Sequence, residues 1–114
     1  MDPRPKVYVT HEVTTANYST AETFGDVVFL SASEISNVPN SLHNRKLVAA
    51  IRDRMREYDP AVDFIAPSGS PIITGIVFAI AGEKSHRFNV LKWNSRDSQY
   101  TPLHIDISEG ADVY

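Results

Sequence analysis

The apolar positions of this chain fall into two periods. From Lys6 to Val13 (KVYVTHEV), Val7 and Val9, then His11 and Val13, recur at every second residue, the spacing of a β-strand. Residues 14–25 (TTANYSTAETFG) are rich in Thr, Ser and Asn and read as a long loop with room for a short helical turn. The unbroken apolar run Val27-Val28-Phe29-Leu30 within 26–32 is that of a strand covered on both faces, as in parallel sheets. Residues 33–40 form a second loop, because Pro39 disfavours helix at the residue before it.

A helical period then takes over. Asn40 or Ser41 is suited to cap a helix running to about Tyr58, and Leu47, Ile51, Met55 and Tyr58 fall on one face of it. Asp59-Pro60 ends it. Residues 61–66 (AVDFIA) form a short apolar strand, and Pro67-Ser68-Gly69-Ser70 a turn. Ser70 is a favoured N-cap, and Pro71 has the backbone geometry of a first helical residue. The helix that follows, 71–82, is apolar nearly all round, a pattern that predicts burial, with Gly82 as its C-terminal glycine. Strands follow over 87–93 and 100–107, joined by the turn 94–98. In the last strand Leu103, Ile105 and Ile107 are expected inward, Pro102, His104 and Asp106 outward, and Pro102 marks an edge strand.

The order β-β-α-β-α-β-β predicts a small α/β fold. It is a two- or three-layer Rossmann-like sheet of about five strands, mostly parallel, with a C-terminal antiparallel hairpin.

Length sharpens this to one domain, since 114 residues leave no room for a second. The domain is expected over 1–107, with a loose acidic tail over 108–114. The absence of cysteine excludes a disulfide scaffold, thiolate metal sites and a thiol nucleophile. A net charge of −3 argues against bulk nucleic-acid binding. The start of the chain lacks the apolar segment of a signal peptide, and the longest apolar stretch is too short to span a bilayer. A cytoplasmic protein is expected, in the host cytoplasm if it is phage-encoded.

The leading candidate site is the junction 66–74. Helix N-termini that follow parallel strands attract anions. Gly69 permits close backbone approach, and Ser68, Ser70 and Thr74 offer hydroxyls. The same residues also suit a simply capped turn. If the strands are parallel, Thr10 and His11, Ser31 and Ser33, and Lys92 and Trp93 share that rim, a set suited to a phosphate and a stacked base. No phosphate-binding P-loop, dinucleotide fingerprint or Gly-x-Ser-x-Gly elbow is present.

The four histidines (11, 43, 86 and 104) lack metal-ligand spacing, so neither a metal nor another cofactor is expected. His11 or His104 could serve as a base only where the fold brings it to a substrate, so enzymatic activity is the less favoured expectation. Five of the eleven Lys and Arg lie between 45 and 56, and Arg45, Arg52 and Arg56 are candidates for docking an acidic partner. The first turn of that helix (His43, Arg45, Lys46) is basic where acids are preferred, which suggests an anion nearby.

The segments Asp63–Pro71, Asn89-Val90-Leu91-Lys92-Trp93 and Tyr100-Thr101-Pro102 carry a resemblance. This strand, Gly-Ser-Pro turn, apolar helix, Leu-Lys-Trp and Tyr-x-Pro ending resembles that of small uncharacterised phage-encoded proteins. It is also similar to the CARF and SAVED domains that bind cyclic oligonucleotides. The resemblance implies a stand-alone binder or degrader of a nucleotide signal, acting on a host signalling or defence pathway, with Ser68, Gly69 and Ser70 on the phosphates. The alternative expectation is a non-catalytic interaction module or assembly subunit. A homodimer through the 87–107 hairpin is a further expectation, since that hairpin ends in an edge strand.

Overall fold

The computed structural model describes residues 4–110. Five strands form one sheet in the order β2-β1-β3-β4-β5. They are β1 (Lys6–Val9), β2 (Asp26–Phe29), β3 (Phe64–Ala66), β4 (Arg87–Asn94) and β5 (Gln99–Asp106). The first four run parallel and β5 returns antiparallel to β4. Two helices, α1 (Leu42–Arg54) and α2 (Pro71–Ala81), and a 3-10 turn (Ser19–Thr23) complete the fold. The expected α/β class, parallel centre and antiparallel C-terminal pair are all present. Most of the expected acidic tail, residues 111–114, lies outside the described residues.

Strand alternation sorts the core into two faces. Tyr8, Ile65 and Phe88 face the helices, where they pack with Leu47, Ile51 and Met55 of α1 and its end and with Ile73, Val77 and Ile80 of α2. Val7, Val9, Ala66 and Leu91 face the other way, under Ala21 of the 3-10 turn and the rings of Tyr18 and Phe24. The long loop is therefore a third layer. Gly25 at its end is held against the chain entering β1, where a Cβ would stand 2.2 Å from Pro5 O.

Several boundaries fall short of the sequence expectation. The first strand ends at Val9, because Thr10 turns its hydroxyl onto the backbone after β3. α1 begins after the expected cap, Ser41, whose hydroxyl accepts from Asn44 N–H, but it stops at Arg54. There Lys84 reaches across from the end of α2 and donates to Met55 O, Arg56 O and Tyr58 O at 2.9–3.0 Å. An ammonium on three carbonyls at a helix C-terminus satisfies both their lone pairs and the helix dipole. Gly82 caps α2 in ordinary right-handed geometry (φ −63°), so it is not the left-handed glycine expected there.

Two burial expectations are corrected. α2 is not buried all round: Ile73, Val77 and Ile80 are buried, but Ile72 is 60% exposed, and Gly75 and Ala79 are exposed beside it. Likewise Ile105 and Ile107 of the last strand are 42% and 59% exposed rather than inward. The cause is shared. Only two helices lie on this face, and neither roofs β5 at the margin of the sheet.

Candidate functional site

The sheet order reverses direction between β1 and β3. In open parallel sheets, ligands favour the crevice beyond the carboxyl ends of the strands at such a switch point. The loop after β1 leads to the 3-10 turn on one face, and the loop after β3 leads to α2 on the other. Between them lie Thr10 and His11 from β1 and Ser68, Gly69, Ser70 and Thr74 from the β3–α2 junction. Six residues expected to share a rim are thus brought together.

They are bonded to one another. Thr10 Oγ1 donates to Ser68 O and accepts from Ser68 N–H, both at 2.9 Å, so the Thr74 hydroxyl 2.9 Å away is the donor between the two threonines. Ser70 N–H donates to His11 Nδ1 at 2.9 Å, and Ser70 Oγ caps Ile73 N–H. Tyr18 OH accepts from Val13 N–H and bonds Ser68 Oγ at 2.8 Å. Gly69, at φ 69°, lies on the His11 ring, and a Cβ there would be 2.3 Å from Nδ1. Its glycine is thus explained by the histidine. Among the described residues the amides left without a partner at this helix start are those of Gly69 and Ile72.

His11 is 4% exposed. Because Nδ1 accepts the Ser70 amide, the neutral ring carries its proton on Nε2, which faces the Glu34 carboxylate at 3.6 Å. The lone pair a general base would use is occupied. His104 lies elsewhere, with Nδ1 2.7 Å from Asn89 Oδ1 on the hairpin.

The segment after β2 extends the rim. His43 Nε2 lies 2.8 Å from Glu34 O, and Ser31 Oγ bonds the backbone of Ser33 in both directions. Beside this segment runs a groove of about 310 Å³, lined by Leu30, Ser31, Ala32 and Ser33 on one wall and His43, Lys46, Leu47, Ala50 and Arg54 on the other. The second wall is a single stripe of α1, at offsets of three, four, seven and eleven residues from His43. Arg54 is anchored through Nη1, which donates to Phe29 O at 3.0 Å and Leu30 O at 3.2 Å. Its Nη2 and Nε, and Lys46 Nζ, have no partner among the described residues. Among the described residues no carboxylate lines the groove, and no acid stands in the first turn of α1.

The remaining candidates are dispersed. Trp93 is 41% exposed and stacks edge-on with Tyr100 at 4.9 Å; Tyr100, like Tyr18, packs against the Val7–Val9–Leu91 core. Burial raises the Tyr100 phenol above its ordinary value. Lys92 is exposed on the opposite face of β4. Arg52 forms a bidentate pair with Glu83 at 2.7 and 2.9 Å, Arg56 pairs with Asp53 at 2.9 Å, and Arg45 donates to Asn40 O at 3.3 Å. The pairing depresses the Glu83 carboxyl below its ordinary value and raises Arg52. The expected docking arginines are thus tied to neighbours.

Arg54 and Tyr18 were not among the expected site residues, and Lys46 entered only with the basic first turn of α1. Arg54 shares a helical spacing with His43 and Lys46 that the sequence carries, but Tyr18 sits in a loop that gives no periodic signal.

Among the described residues no three His, Asp or Glu side chains are placed to hold a metal ion, and no helix is long and apolar enough to cross a membrane. A family model described as phage Pam3 gp32-like protein matches residues 5–107. The chain belongs to that family of phage proteins. No curated protein and no solved structure matches it, so the likeness to CARF and SAVED domains gains no support from those comparisons.

Proposed function

We propose that this phage protein binds a small anionic ligand of the nucleotide class, seated in the groove between α1 and the Leu30–Ser33 segment. One observation carries the reading. A groove at the carboxyl-end rim is lined by Arg54, Lys46 and His43 with the hydroxyl-bearing Ser31 and Ser33, and by no acid among the described residues. Arg54 is held in place by two carbonyls while its outer nitrogens stay available, an arrangement suited to a planar two-point contact with a phosphate or carboxylate. The volume of about 310 Å³ is at the small end of ligand sites, so it suits a mononucleotide or smaller. The junction 66–74 then acts as the scaffold: its hydroxyls and amides hold the rim together through Thr10 and His11.

The test is calorimetry of the full chain with AMP, ATP and inorganic phosphate. We expect binding of at least one probe, weakened about tenfold or more by Lys46→Glu and by Arg54→Gln, since a hydrogen bond to a charged group contributes about 1.5–3 kcal/mol. No binding of any probe, or binding that both substitutions leave intact, overturns the reading.

A further inference from the structure

The two margins of the sheet are treated differently. β2 is only four residues long; Arg54 lies on the carbonyls at its end and Arg4 pairs with Asp26 at its start. Such short, charge-guarded edges resist pairing with another strand. β5 is eight residues long, and the exposed Ile105 within it and Ile107 just past its end lie on the helix-facing side.

The orientation of its backbone follows from two observations. Ile107 N–H donates to His86 O, so His86 and Ile107 form a hydrogen-bonded pair next to the Arg87–Asp106 pair. Alternation along an antiparallel ladder then makes Phe88–Ile105 and Val90–Leu103 bonded pairs, and leaves Tyr100, Pro102, His104 and Asp106 with their backbone groups directed away from β4. Pro102 has no N–H to offer. Its position on the outward set removes one donor from the free edge.

That defect selects a register. We propose that two copies of this chain join edge to edge through β5, antiparallel about a two-fold axis at Ile105, into one continuous sheet. In this register His104 and Asp106 of each copy exchange backbone bonds with Asp106 and His104 of the partner subunit, four bonds in all by the alternation rule for facing outward pairs. Ile105 meets Ile105 of the partner subunit, and Leu103 meets the partner's Ile107, on the helix side of the sheet where neither helix reaches β5. On the opposite face His104 comes against Asp106 of the partner subunit, a complementary pair. Registers centred nearer the hairpin turn set Pro102 inside the ladder, where a facing carbonyl goes unbonded. The seam lies at the margin opposite the α1 groove, so it stands apart from the ligand reading.

The chain has no cysteine, which makes the register directly testable. Residues facing each other in a non-bonded antiparallel pair have Cα atoms about 4.5 Å apart, within the span of a disulfide at about 4.4–6.8 Å. Light scattering of the wild-type chain at sub-millimolar concentration should give twice the chain mass, and Ile105→Lys should give the single-chain mass with an unchanged circular dichroism spectrum. Oxidised Ile105→Cys should run as a covalent dimer, while Ile107→Cys, displaced from its own copy across the axis, should not. A wild-type chain of single mass, or a dimer that Ile105→Lys leaves intact, overturns the proposal. If Ile105→Lys fails to fold, the two cysteine variants decide: cross-linking at Ile105 alone upholds the seam, and absence of cross-linking there removes it.

Discussion

The backbone amide of Ser70 donates to Nδ1 of His11 across 2.9 Å, joining the N-cap of α2 to the end of β1. This bond explains the glycine between β3 and α2. With the ring held there, only a residue without a Cβ fits beside it, and only glycine takes the positive φ at little cost.

Gly69→Ala should therefore destabilise the protein by about 2–4 kcal/mol, the sum of a strained backbone and a steric conflict with a buried ring. His11→Ala should lose the amide bond and leave a cavity. In the double variant the steric part is relieved, so the two effects should fall short of adding by more than about 0.5 kcal/mol. Urea denaturation of the four proteins measures the coupling. Strict additivity would show that ring and glycine do not constrain each other.

Tyr58 carries the one buried side-chain polar atom without a partner among the described residues, its phenolic OH. Burial, with the charges of Asp63 and Asp59, pushes its pKa up to about 12. A folded-state pKa above the ordinary 10.0 contributes stability that is full below pH 10 and is lost as pH rises through the folded value. Tyr58→Phe should remove this part of the alkaline decline and hold or raise neutral-pH stability, by up to about 1 kcal/mol, because an unsatisfied hydroxyl leaves the core. A large loss of stability at neutral pH would mean that the hydroxyl is bonded.

Lys84 is the lid on the end of α1. Lys84→Met keeps a long unbranched side chain but removes the ammonium that meets three carbonyls and stands 5.7 Å from the Tyr58 ring centroid. The expected cost is about 1–2 kcal/mol, as for a charged group at a helix C-terminus. Amide exchange should quicken in the last turn of α1 before it does in the sheet. Uniform acceleration across the chain would contradict a local capping role.

The Arg52–Glu83 pair ties α1 to the residue beyond α2. Its carboxyl is held below the ordinary 4.5, chiefly by the hydrogen bond from Arg52. Stability from this pair is present above the unfolded value and fades as pH falls through the lower folded one. Because both groups are on the surface, the effect is small and screened by salt. Glu83→Gln should flatten the acid limb of the stability curve slightly at low ionic strength, and the difference should vanish in high salt. A difference that persists in high salt would assign it to packing.

The parallel centre was legible because Val27–Leu30 is an unbroken apolar run and the core residues of α1 repeat at a helical period. Ser41 and Ser70 were legible as caps because a hydroxyl before a helix has a local partner three residues on. Tertiary effects were not. The exposure of Ile72, Ile105 and Ile107 depends on how many helices the sheet carries, which no local period encodes. The junction 66–74 was legible as a glycine turn before a capped helix, but its contact with His11 was not. Gly69 signals close approach, and the sequence does not say whether a ligand or His11 approaches. The anchoring of Arg54 was hidden for a related reason: Phe29 O and Leu30 O are backbone atoms 24–25 residues away.

The position of β1 inside the sheet has a consequence for assembly of the fold in time. β1 is made first, yet one of its two neighbours is β3, with Val9 facing Ala66. Its carboxyl end is secured by Thr10 and His11 to Ser68 and Ser70, 58 and 59 residues away. More than half of the chain must therefore be present before the first strand is enclosed. Long-range parallel pairings of this kind delay closure, because loop entropy is lost before the contact forms. During synthesis the apolar Val7-Tyr8-Val9 thus stays open on one side until the β3–α2 junction has emerged, and that junction is the step that encloses the first strand.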